Sequence, residues 1–217
     1  IAANAQPGTY YIVFSKDGQS FKCPYEIASR REGSAERTSF TTADMIYLIM
    51  PDRFANGDPS NDSVEGMPDK ADRSKPFGRH GGDIQGIIDH LDYISELGAT
   101  AIWCTPLIED NLEKTTYHGY ACTDYYHIDG RFGDNDLFKT YVEKAHEKDL
   151  KIIMDIVPNH AGSGHWWMAD VPFKDWYHVF DTYTGSNIVF STNMDPNASQ
   201  KDLYIQESGW FDTTMVD

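Results

Sequence analysis

Basic residues are in short supply in this sequence: 18 Lys and Arg stand against 34 Asp and Glu, a formal net charge of −16 at pH 7. That balance removes the electrostatic footprint a phosphate backbone or an anionic lipid surface requires, so neither nucleic acid nor membrane is an expected partner. Cysteine is nearly missing too. Three residues, Cys23, Cys104 and Cys122, lie far apart with no CxxC, which argues against a disulfide framework and against a thiolate metal site. No apolar run approaches the roughly eighteen residues of a spanning helix, and IAANAQPG at positions 1–8 has neither the charged start nor the apolar stretch of a signal peptide. What the chain does have is a globular composition, 40% apolar and 13% aromatic over 217 residues.

Residues 9–27 hold two runs rich in β-branched and aromatic residues around Asp17-Gly18, which predicts a hairpin. Two strands alone are marginally stable, so they read as the end of a larger β-domain. The polar, aperiodic stretch 28–44 reads as a linker, with a boundary near residue 40. Strand and helix then alternate, the pattern of a parallel sheet built from βα units. MIYLIM (45–50), TAIWCTPL (100–107) and KIIMDIV (151–157) predict three strands, the first with the continuous apolar character of a strand buried on both faces. Between them, Ile84, Ile87, Ile88, Leu91, Ile94 and Leu97 fall at helical spacing behind Asp83 as cap and before Gly98 as stop. Asp136 starts a second helix through Leu137, Tyr141, Val142 and Ala145. Beyond His160 no period is sustained, and a stretch of that length without one is expected to be functional or a small domain of its own.

The unusual motifs all follow strand ends, where α/β folds place their sites. NGDPSND (56–62) gathers Asn56, Asp58, Asn61 and Asp62, oxygen donors of the kind a hard cation takes, although an Asx-rich turn held by its own backbone bonds has the same composition. HGGD (80–83) puts two glycines ahead of a helix where a ligand could approach closely, or where Asp83 is a plain N-cap. YHGYACTDYYHIDGRFGD (117–134) mixes rings with Asp124 and Asp129, as a sugar site or an ordinary packed loop would. Zinc through His118 and His127 has no helix to place both rings on one face. DIVPNH (155–160) ends the third strand with Asp155, Asn159 and His160, polar groups that must be paired or face a ligand.

Taken in this order, IYLIMPDRFANGDPSND, HGGDIQGIIDHLDYISELGATAIWCTPL, HGYACTDYYHIDGRFGD and KIIMDIVPNH resemble the α-amylase family of glycoside hydrolases, family thirteen, and within it the neopullulanase and cyclomaltodextrinase group. The resemblance implies an α/β fold, the first three strands of a (β/α)8 TIM barrel, with the end of a β-sandwich and linker at 1–40, barrel at 41–160 and the start of domain B at 161–217. It implies a calcium site at Asn56, Asp58, Asn61 and Asp62, closed by Gly81 and Asp83. Tyr120 matches the aromatic that stacks on the sugar at the cleavage point, and His160 the imidazole that hydrogen-bonds it. Asp155 matches a supporting carboxylate, and Asn159 a position that ligates a different calcium elsewhere in the family. The implied partner is an α-1,4-glucan such as maltodextrin, cyclodextrin or pullulan, cleaved with retention, and the group's N-terminal domain implies a homodimer. Retention needs two carboxyl groups about 5–5.5 Å apart. The family's nucleophile lies in a G-x-R-x-D motif after a fourth strand, and no such motif occurs here, since GRFGD (130–134) precedes the third strand. The chain is also shorter than the roughly 250 residues of a whole barrel, so it is expected to be an inactive part of one. The alternative is a non-catalytic glucan-binding or scaffold protein with an amylase-like half barrel.

Overall fold

The computed structural model describes residues 2, 4–36, 38–171, 173, 176–177 and 215–216. The chain divides into two compact units, Ile1–Thr41 and Thr42–Asp217. In the first, β1 (Gly8–Lys16) and β2 (Gln19–Ile27) pair antiparallel from Gly8↔Ile27 to Lys16↔Gln19. Asp17 and Gly18 close the hairpin at φ 51° and 76°. That doubly left-handed turn matches the twist of the flanking strands, and Asp-Gly is suited to it.

The second unit is built on a parallel sheet of β3 (Ile46–Ile49), β4 (Ala101–Cys104) and β7 (Lys151–Met154), ordered β3-β4-β7. Register places Tyr47, Ile102 and Ile152 side by side, and likewise Leu48, Trp103 and Ile153. One face packs under α2 (Ile84–Asp89), α3 (Leu91–Glu96) and α4 (Asn135–His146), where Ile49, Ile102, Cys104, Ile87, Leu91, Tyr141 and Leu150 form a single core. Among the described residues, no helix covers the other face. Leu48 is 56% and Trp103 38% exposed, so the first strand is covered on one side rather than both, because all three helices lie on the same side of the sheet.

Four boundaries differ from the periodic pattern. The predicted helix over 84–97 is broken at His90, whose imidazole Nδ1 lies 2.7 Å from the Gly86 carbonyl while its backbone N–H reaches back only to Ile87. A side chain that takes the i−4 carbonyl interrupts the ladder there. The long helix starts one residue earlier than Asp136, because the Asp134 carboxylate accepts from the N–H of Asp136 and Leu137. The second and third strands end at Cys104 and Met154, short of 107 and 157. Pro106 has no N–H to extend the ladder, and Asp155 then lacks a strand partner.

Short elements frame the strand ends. A single turn, α1 (Pro51–Phe54), follows β3, and a small ribbon of β5 (Ile108–Glu109) and β6 (Asp124–Ile128) carries the loop between them. Single 3-10 turns sit at Pro59–Asn61, Thr116–His118 and Trp166–Met168. β8 (Ala161–Gly162) pairs with β9 (Met215–Val216). The insertion expected at 161–217 lies largely outside the described residues. Among those described, no helix is long and apolar enough to cross a membrane.

Candidate functional site

The oxygen-rich turn after β3 and α1 is tied to the start of α2 by Asp83. Its Oδ1 accepts from Gly57 N (3.1 Å) and Gly86 N (2.6 Å), and its Oδ2 from Asp58 N (2.8 Å) and Asn61 Nδ2 (3.4 Å). One buried carboxylate therefore caps the helix and orders the turn together. Asn56 Nδ2 donates to Asp62 Oδ1 at 2.6 Å. Gly81 lies against this pair at φ 85°, where a Cβ would come within 2.4 Å of Asp62 Oδ1 and 2.9 Å of Asn56 Nδ2. Asp58 joins through its backbone only. Its carboxylate accepts from Ser60 N and Ser60 Oγ, which hold it below the ordinary carboxylate range.

Two oxygens in this turn, Asn56 Oδ1 and Asn61 Oδ1, are buried without a hydrogen-bond donor. Such atoms cost free energy unless something positive meets them. With the Asp62 carboxylate beside them, the donor set is all oxygen and fits a hard cation. Among the described residues, no three His, Cys, Asp or Glu side chains gather as a metal site, consistent with a turn whose donors are half amides. His118 and His127 are engaged separately: His118 Nδ1 accepts from Tyr120 N at 3.0 Å, and His127 Nδ1 lies 2.8 Å from Asp124 Oδ2.

A second cluster forms where β4 and β7 end. Asp155 Oδ2 accepts from Trp103 Nε1 (3.1 Å) and from the Tyr120 hydroxyl (3.3 Å). Burial, with the Asp155 charge added, raises the Tyr120 phenol. His160 Nε2 lies 2.9 Å from the Tyr120 carbonyl and its Nδ1 3.2 Å from Asn159 Nδ2. A carbonyl only accepts, so the Nε2 contact is a bond donated by the imidazole. Tyr125 fixes the backbone behind it, its hydroxyl 2.7 Å from His160 O and 3.0 Å from Val157 O. Gly119, at φ 78°, lets the 116–123 loop lie flat on the strand end, since a Cβ there would meet Pro106 O at 2.2 Å. Tyr120, Asp155, Asn159 and His160 are thus brought together.

Asp129, read from the sequence as a possible sugar contact, lies instead in a buried layer of charge whose other members sequence reasoning missed. Arg79, Arg131, Asp52, Asp110 and Asp129 are all buried. Arg131 pairs with Asp129 at 2.7 Å, and although burial opposes ionisation, these bonds keep the Asp129 carboxyl below its ordinary range. Asp110, with Oδ1 unpaired, is pushed up to about 7, first by burial. The available signal was the Asp-x-Arg spacing of Asp129 and Arg131, which places both charges on one turn.

The chain is similar to the beta/alpha-amylase of Paenibacillus polymyxa, at 46% identity over 138 residues, covering 61% of this chain and 11% of that protein. It is similar to neopullulanase 2 of Thermoactinomyces vulgaris, at 41% over 157 residues, covering 65% and 26%. The chain therefore spans about a quarter or less of these relatives. A crystal structure of an Anoxybacillus α-amylase matches with a TM-score of 0.57 and 42% identity, covering 77% of this chain and 32% of that one, which makes the fold α/β of the TIM-barrel type. The profile described as alpha amylase, catalytic domain, matches residues 48–215, most of the sequence, and so the chain belongs to the α-amylase family.

Proposed function

We propose that this chain carries the first three strands of the catalytic barrel of an α-glucan-degrading glycoside hydrolase of the neopullulanase or cyclomaltodextrinase type, retaining at α-1,4 bonds. The observation that carries the reading is the joining of Tyr120, Asp155 and His160 at the strand ends: a ring, a carboxylate and an imidazole held by Tyr120 OH to Asp155 at 3.3 Å and His160 Nε2 to Tyr120 O at 2.9 Å. Aromatic faces stack on the apolar faces of sugars, and the polar atoms around them take hydroxyls. The hairpin unit reads as the end of a β-sandwich preceding the barrel.

Calcium is proposed at the oxygen-rich turn. Asn56, Asn61 and Asp62 would hold it with Asp58 and Gly81, while Asp83 keeps the turn in shape. Bound there, calcium would supply positive charge to the two orphan amide oxygens. Substrate orientation falls to Tyr120 and His160.

With no G-x-R-x-D motif in its sequence, the chain binds glucan without cleaving it. Isothermal titration with maltoheptaose, beside a reducing-end assay on the same sample, tests this. Binding without new reducing ends is expected. Turnover by the chain itself would sink the assignment of the missing acids, and absence of binding with calcium present would sink the glucan reading.

A further inference from the structure

Arg79 is fully buried, yet it takes no part in either cluster. Its Nη1 donates to Thr116 O and Thr116 Oγ1, both at 3.1 Å, and its Nε lies 3.8 Å from Asp52 Oδ1. The guanidinium carbon sits 4.6 Å from the centroid of the Phe132 ring. Among the described residues, Nε and Nη2 have no hydrogen-bond partner. A buried guanidinium so partly satisfied is a costly way to fill space, and an apolar side chain of similar volume would do that at lower cost. Its cost is explained by where its bonds go.

Both bonds go to Thr116, which opens the 3-10 turn Thr116–His118 four residues before Tyr120. Thr116 is gripped from the other side by Asp69, whose Oδ2 accepts from its backbone N (3.0 Å) and hydroxyl (2.9 Å). From Thr116 the path to Tyr120 is short and stiff: one 3-10 turn, Gly119 in the left-handed region, and Tyr120 N donating to His118 Nδ1. A shift at Thr116 therefore moves Tyr120, and with it the carbonyl that His160 holds. At its other end Arg79 faces Asp52, which accepts from the N–H of His80 and Gly81.

We propose that Arg79 is a positioning residue for glucan binding: it anchors the loop carrying Tyr120 to the segment that carries Gly81, and the rigid strand-end turn cannot present the tyrosine without it. The inference rests on the glucan reading above and extends it to a residue that would itself never touch sugar.

Arg79→Met and Thr116→Val, made in the full chain, test it. Met keeps the bulk and removes the donors, and Val removes only the hydroxyl, so it remains informative if the first variant fails to fold. Loss of charge-assisted bonds to a positioned loop predicts maltoheptaose affinity about tenfold weaker in the first variant and about threefold weaker in the second. Calcium affinity should stay within about twofold, because Asp52 retains its two amide donors and Arg53. Hydrogen exchange should rise at residues 116–121 and nowhere else. Maltoheptaose affinity equal to the wild type in both variants overturns the role of Arg79 alone. Parallel loss of calcium and glucan binding shows general collapse and overturns it as well. A wild-type chain that binds no glucan defeats the underlying reading together with it.

Discussion

Replacing Gly81 by alanine separates two demands that the turn makes on that position. The residue sits at φ 85°, where an L side chain costs about 1–2 kcal/mol. Its Cβ would also arrive 2.4 Å from Asp62 Oδ1, so the Asp62 carboxylate must swing away and give up its 2.6 Å bond from Asn56, about 1 kcal/mol more. The expected loss is about 2–3 kcal/mol, roughly 5–10 °C in Tm for a unit of this size. Gly98 provides the control. It has nearly the same φ, 84°, with nothing within 4 Å of a built Cβ, so Gly98→Ala carries the backbone cost without the collision. Urea unfolding of both variants, followed by circular dichroism, gives the difference, which should be about 1 kcal/mol. Calcium titration should separate them further, with affinity at least about tenfold weaker in Gly81→Ala, because the carboxylate proposed as a ligand has moved, and unchanged in Gly98→Ala. Equal destabilisation of the two variants with calcium affinity intact would refute the contact between Gly81 and Asp62.

Two further outcomes follow from the site. Asp110 titrates at about 7 in the folded chain, while an unfolded carboxyl ionises near about 4; the native state holds the extra proton between them, so stability falls as pH rises from about 4 to about 7. Asp110→Asn removes that slope, and urea midpoints at pH 5 and pH 8 should lie closer together than in the wild type; equal spacing would show that the burial is ineffective. Tyr120→Phe keeps the ring and loses only the bond to Asp155, so maltoheptaose affinity should change less than about threefold, whereas Tyr120→Ala should weaken it about tenfold by removing the stacking face. Calorimetry that ranks the two variants equally would remove Tyr120 as the platform.

The hairpin and the strand and helix order were legible because they rest on local chemistry: Asp17-Gly18 supplies a turn that fits two twisted strands, and Asp83 supplies a cap where the isoleucine period begins. Failures came where a side chain competes with the backbone. Nothing in a hydrophobic period reveals that the His90 imidazole will take the Gly86 carbonyl, or that Asp134 will cap in place of Asp136. An apolar run also carries no information about which sides of a strand acquire cover, so Leu48 read like Ile49. In the site, residues that share a strand end or a turn, such as Asp155 and His160, were legible from their spacing. Arg79, Asp52 and Thr116 were not, since isolated polar residues read as solvated and only the fold shows them enclosed together.

The bare wall of the sheet has a practical use. Trp103 stands on it with its indole N–H on Asp155, so the fluorophore touches the uncovered apolar surface and the proposed sugar site at once. A difference spectrum between the wild type and Trp103→Phe isolates its emission from that of the four other tryptophans. Its colour then gauges whatever comes to lie against the strands, and its quenching reports whether the indole keeps its contact with the neighbouring carboxylate.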